Sequence, residues 1–139
     1  MTGAAVIVDT NVVVAGLLTG NDASPVARIL DGMLSAAFPF VVSEALLAEY
    51  RSVLMRSQIC KLHGLAAAEV DSVLTDLAQH AIVLIPVPAE AAPDPGDQLL
   101  WDLLAARPDL VLVTGDKRLL KNVAMRGRVI SPHTFVAGV

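Results

Sequence analysis

Apolar residues fall along the chain in two rhythms: short unbroken runs, and stretches spaced three and four apart. The first run covers residues 5–14, where β-branched side chains are interrupted by one carboxylate and the polar trio Asp9-Thr10-Asn11. Unbroken apolar strands without alternation belong to parallel sheets buried on both faces. Residues 5–14 are therefore expected to be the first strand, around which the chain is organised. An Asp is costly in such a strand unless it is paired or metal-bound. It is tolerable at the carboxyl end, where α/β sheets place their ligands.

Gly16 to Ser24 is polar and is expected to be a loop. Ser24 and Pro25 then suit the N-cap and first helical position, and Val26, Ile29, Leu30, Met33, Leu34 and Ala37 predict a helix over 25–36. Residues 38–42 predict a second strand. Ser43 caps a helix through about Met55, with Leu46, Leu47, Tyr50, Val53 and Leu54 as its apolar stripe. Residues 58–64 are expected to be a connector, 66–80 a helix buried through Val70, Val73, Leu74 and Leu77, and 81–85 a third strand closed by Pro86 and Pro88. A Pro/Ala-rich loop runs to Gly96. After it come a helix over 96–107, a strand over 110–113, Thr114-Gly115-Asp116, a short basic helix over 117–122, a last strand over 128–130, and a turn or helix over 131–136.

Strands alternating with helices predict a single α/β domain over residues 1–139, with a mainly parallel sheet and right-handed crossovers. The length allows one full core. Hydrophobic residues make up 55% and charged residues 17%, an excess that suits a central sheet covered by helices on both faces. The net charge of −4 offers no basic footprint for nucleic acid. That objection fails if several acids share a pocket that divalent cations neutralise. Cys60 alone cannot form an internal disulfide, and no Cys/His cluster suggests zinc. No stretch approaches the roughly 20 apolar residues of a membrane span, and the N-terminus lacks the basic region of a signal peptide. A cytoplasmic protein is expected.

Four stretches place acids where a site could form. Asp9 and Asp116 follow apolar strands, so both can reach the same edge of the sheet. Read alone, Asp116 also suits a turn, and Asp9 an Asx-turn or helix cap. On the helix from Ser43, at ~100° per residue, Glu44 lies well away from the apolar stripe and Glu49 flanks it. Glu44 is explained by the helix dipole, which leaves Glu49 as the pocket candidate or a solvated boundary residue. In 93–102, Asp94 suits an N-cap, with Pro95 and Asp97 at the first and third helical positions. Asp97 lies beside the apolar line through Leu100 and Leu104, whereas Asp102 points away and is expected to be solvated. Four gathered carboxylates repel one another. Divalent cations cure this, and all-oxygen ligand sets suit Mg²⁺ or Mn²⁺, which activate water and stabilise both oxygens of an in-line phosphodiester displacement.

With these motifs in order, the chain resembles a PIN-domain ribonuclease of the VapC-like kind, the toxin of a bacterial toxin–antitoxin pair. Val8-Asp9-Thr10-Asn11 matches the opening motif and Ser43 to Glu49 the helix bearing the second acid. Asp97 fits the third acid, and Val113-Thr114-Gly115-Asp116 the fourth motif. Trp101-Asp102 departs from the small apolar residues commoner there. The resemblance implies a three-layer α/β/α sandwich with a five-stranded sheet ordered 3-2-1-4-5. It also implies Mg²⁺-dependent cleavage of RNA, a homodimer and a small antitoxin partner.

The site expected on this basis has Asp9, Glu49, Asp97 and Asp116 binding one or two Mg²⁺ ions, supported by hydrogen bonds from Asn11 and Thr114. Arg51, Arg56, Lys117, Arg118 and Lys121 are candidates to hold the RNA backbone electrostatically. His63, His80 and His133 have no partner at catalytic spacing. Two alternatives stand beside this one. The first is an aspartyl phosphatase of the haloacid-dehalogenase type, which needs a second Asp where Asn11 stands. The second is a binding module without activity.

Overall fold

A computed structural model describes residues 5–125 and 127–138. The first strand is much shorter than expected. β1 spans Val6–Val8, and a helix, α1, takes over at Thr10–Leu18. Asp9 makes the change of direction: its backbone is extended and its side chain accepts from Thr10 N at 2.7 Å, so it caps the helix. Val12, Val13 and Val14 look like strand residues by propensity, but all three are buried within α1. Burial outweighs the few tenths of a kcal/mol per residue by which β-branching disfavours a helix. Gly16, expected in a loop, sits inside this helix. A Cβ there would lie 2.6 Å from Val26 O and 2.9 Å from Leu30 Cβ, so glycine permits the close approach of the following helix.

That helix, α2, spans Pro25–Leu34, and Ser24 Oγ accepts from Ala27 N at its start. Then come β2 (Phe40–Val42), α3 (Glu44–Leu54, capped by Ser43), α4 (Ser57–His63) and α5 (Ala67–His80). α4 occupies the expected connector. It has no side-chain cap and no buried residue, so neither signal for a helix was present. Gly64, at φ +69°, ends it in the left-handed region that favours glycine. β3 is only Ile82–Val83, followed by a 3₁₀ turn at Pro95–Asp97 and α6 at Gln98–Ala106. The chain closes with β4 (Val111–Val113), α7 (Lys117–Leu120), a 3₁₀ turn at Val123–Met125, β5 (Val129–Ile130) and α8 (Pro132–Ala137).

The five strands form one sheet in the order β3-β2-β1-β4-β5, every pair parallel, as the family resemblance implied. Val6, Ile7 and Val8 are fully buried, as are Phe40, Val41 and Val42. Successive strand residues point to opposite faces, so both faces of the sheet centre are covered. The edge is not: Ile82 and Val83 are exposed. From β1 the chain runs outward through β2 and β3, then returns to β4 on the other side of β1. Ligands of open α/β sheets bind beyond the carboxyl ends of strands at such a reversal. Val8 pairs with Val113 there, and Asp9 N donates to Val113 O at 2.9 Å.

Asp102 differs from expectation. It is half-buried and accepts from Ala89 N at 3.1 Å and Gln98 Nε2 at 3.0 Å. Gln98 also donates to Glu90 O and accepts from Ala92 N. Together the two side chains fasten the Pro/Ala-rich loop to α6 and so hold Asp97 in place. Among the described residues no helix is long and apolar enough to cross a membrane.

Candidate active site

Asp9 leaves β1 with 7% exposure, and three donors fix its carboxylate. Thr10 N reaches Oδ1, while Thr114 Oγ1 (2.7 Å) and Asn11 Nδ2 (3.2 Å) reach Oδ2. Burial pushes its pKa up against these hydrogen bonds, and the charges of Glu49 and Asp97 push the same way. Thr114 is fully buried at the end of β4. Its oxygen donates to Asp9 and accepts from Asp116 N at 3.0 Å and Asn11 Nδ2 at 3.3 Å. Asn11 Oδ1 in turn accepts from Gly115 N at 3.0 Å. The first and fourth motifs are thus joined by hydrogen bonds from uncharged donors, those of Asn11 and Thr114 among them.

Tyr50 aims Glu49. It is fully buried in the face of α3 against the sheet, and its hydroxyl donates to Val8 O. Burial and the neighbouring Asp9 and Glu49 push its pKa upward. Glu49, one residue earlier on the helix, is turned toward the α1 start, and Oε2 accepts from Thr10 Oγ1 at 2.6 Å. Thr10 was missed as a contributor because a strand over 5–14 puts its side chain on the face opposite Asp9. A helix beginning at Thr10 brings all three polar residues to one edge.

Asp97 closes the 3₁₀ turn, whose Asp94 side chain accepts from Gly96 N at 2.9 Å. Burial raises the Asp97 pKa first; Arg118 lowers it, and Asp94, Asp116 and Glu49 raise it. Asp116 caps α7 through Arg118 N, and Arg118 holds its carboxyl below the usual range. The Arg118 guanidinium reaches Asp116 at 2.7 and 3.3 Å, Asp94 at 3.0 Å and Asp97 at 3.7 Å. Its own pKa is driven up in consequence.

Asp9, Glu49, Asp97 and Asp116 line one open cavity of about 430 Å³. Thr10, Asn11 and Arg56 share its wall with the apolar Val14, Ala15, Leu18, Val53 and Leu100. Among the described residues, no three acid, histidine or cysteine side chains converge closely enough, as they stand, to hold one ion.

The basic residues divide differently from expectation. Arg51 is turned from the cavity into a forked pair with Asp71 of α5, at 2.7 and 3.4 Å. It lies one residue beyond Tyr50, so burying Tyr50 carries it to another side of α3. Arg118 is engaged by carboxylates rather than free for a phosphate. Lys117 is exposed at the start of α7. Arg56 does line the acid cavity and makes no ion pair among the described residues.

The family model for the PIN domain matches residues 5–118, most of the chain and all four acids. No curated protein matches it.

Proposed function

The chain belongs to the PIN-domain family, and from that premise we propose that it is a Mg²⁺- or Mn²⁺-dependent endoribonuclease, the cytoplasmic toxin of a toxin–antitoxin pair. The observation that carries the activity is the meeting of four acids from distant segments on one cavity at the sheet's reversal. RNA as substrate, a small antitoxin protein and a homodimer follow from the family resemblance.

The donor set fits a hard dication. Every candidate ligand atom is a carboxylate oxygen, the chemistry that suits Mg²⁺ or Mn²⁺. Asp9 and Asp97 have raised pKa values from burial and from one another's neighbours, a penalty that a bound dication removes. Asp9, Glu49, Asp97 and Asp116, drawn inward from where they stand, would hold one or two such ions. When bound, such an ion supplies activated water and charge stabilisation for phosphodiester hydrolysis.

The chain's own residues do the remaining work. Thr114 and Asn11 keep the Asp9 carboxylate in one orientation, and Thr10 does the same for Glu49. Such outer hydrogen bonds commonly matter 10- to 100-fold (roughly) in metal affinity or activity. Arg56 places a positive charge on the cavity wall where a phosphate backbone would pass. The phosphatase alternative lapses with the family match, and Asn11, standing where its second acid is needed, instead bridges Thr114 and Gly115.

The test is single-stranded RNA cleavage with Mn²⁺ by the wild type and by Asp9→Asn combined with Asp116→Asn. The double variant is expected to lose roughly 100-fold or more in rate. Cleavage at the wild-type rate would refute the mechanism. A wild type that neither binds Mn²⁺ nor cleaves would favour the binding module.

A further inference from the structure

Among the described residues Arg118 stands apart from the other paired cations. Arg51 and Arg107 each serve one carboxylate, Asp71 and Asp109 respectively. Arg118 serves three, drawn from two separate segments. Two of the three, Asp97 and Asp116, line the acid cavity, whereas Asp94 does not. Asp94 lies with Arg118 in a neighbouring cavity that also includes Asp97. The guanidinium therefore lies in the second hollow and reaches to two acids of the first.

The electrostatics fall into line with this position. Negative charge on Asp97 and Asp116 has to be compensated, and the nearest positive charge is this side chain. Arg118 is 64% exposed, so its pairs are solvent-screened and exchangeable rather than fixed. A guanidinium and a dication compete for the same carboxylate oxygens. The Asp94 contact, at 3.0 Å, gives the displaced guanidinium a place to remain.

We infer that Arg118 is the resting countercation of the acid cavity: it neutralises Asp97 and Asp116 until a divalent ion displaces it, and Asp94 then retains it at the rim. This rests on the metal-binding part of the proposed function. It adds a determinant of metal affinity, since occupancy of the cavity becomes an exchange of one cation for another. Reciprocity of linked equilibria requires that whatever weakens Arg118's hold tightens the ion's, and the reverse.

The experiment is direct Mn²⁺ titration of the metal-free full chain, read by calorimetry or by the free-Mn²⁺ electron paramagnetic resonance signal. Wild type, Arg118→Gln and Lys117→Gln are compared. Lys117→Gln removes the same charge one residue away and sets the background of simple electrostatics. Arg118→Gln is expected to bind about fivefold tighter than wild type, and Lys117→Gln to change affinity by less. Equal or weaker binding in Arg118→Gln, with wild type binding normally, overturns the inference and leaves the proposed function standing. A wild type that does not bind Mn²⁺ overturns both.

If Arg118→Gln fails to fold, the wild type still decides the matter. The Arg118 Nε–H resonance, identified by its absence in Arg118→Lys, is expected to shift during Mg²⁺ titration and to saturate with binding. An unmoved resonance at saturating Mg²⁺ refutes displacement.

Discussion

The acid cavity has two sides, built by different means. On the sheet side, Asp9 is buried and held by uncharged donors, namely Thr10 N, Asn11 and Thr114. On the rim side, Asp97 and Asp116 keep more solvent contact and lean on one guanidinium. Neutral donors orient a carboxylate without cancelling its charge. A cation cancels charge but competes with any ligand of the same sign. The sheet side is thus a permanent fixture and the rim side an adjustable one.

The largest effect should come from breaking the sheet side. Thr114→Val leaves Asp9 without its shortest side-chain donor and Asp116 N without an acceptor, in a fully buried place. A buried polar group left unpaired costs about 1–3 kcal/mol. RNA cleavage should fall roughly 10- to 100-fold, and the denaturant midpoint should drop. Thr114→Ser, which keeps the hydroxyl, should recover most of both. If Thr114→Val cleaves at the wild-type rate, the two sides do not differ in the way described.

A smaller effect separates two arginines close in sequence, Arg51 in the last turn of α3 and Arg56 at the N-cap of α4. Arg56→Ala should raise KM about 3- to 10-fold with little change in kcat, as expected when ground-state and transition-state binding are lost equally. Arg51→Ala should leave both constants unchanged, because its charge is committed to Asp71 on another surface. Steady-state kinetics on a short RNA at two salt concentrations would show it.

The smallest effect concerns stability of the metal-free protein. Asp97 has a folded pKa above its ordinary 3.8. A carboxyl raised on folding contributes most below its unfolded pKa, and that contribution is lost as pH rises through the folded value. Asp97→Asn should therefore raise Tm at pH 7 by about 2 °C, with the gain fading as pH falls through the raised folded pKa and gone below the ordinary 3.8, where the wild type is protonated in both states. Asp71, Asp94, Asp109 and Asp116 have the opposite sign. Their stabilisation is present above 3.8 and lost on acidification, so both proteins should weaken together at low pH. Thermal melts in chelator across pH 3–8 (roughly the window these carboxyls span) would test the pattern.

Periodicity made α2, α3 and α5 legible because each buries an apolar stripe, and parallel order was legible from unbroken apolar runs. The spacing of acids near strand ends pointed to the carboxyl edge of the sheet, where the four line one cavity, while strand order came with the resemblance. The misreadings have definite physical causes. Val12, Val13 and Val14 carry the propensity of a strand and the burial of a helix, so only tertiary packing decides for α1. α4 buries nothing and therefore has no periodic signature. Arg51 and Arg56 look alike in sequence; Tyr50 fixes the rotation of α3 that turns Arg51 to Asp71, whereas Arg56 lies past the end of that helix, at the N-cap of α4. Asp102 turns inward because a loop thirteen residues back presents Ala89 N to it, a partner that no local pattern announces.

The hydrogen bond from Thr114 to Asp9 closes a span of 105 residues. During synthesis, an unfinished chain holds β1, its aspartate and the glutamate of α3, but has no β4 to dock beside them. Local helices can form early, whereas contacts of such long sequence separation come late. A chain assembled in this order lacks the hydroxyl that orients Asp9 until β4 has been made and docked, and a product truncated before β4 would lack it for good.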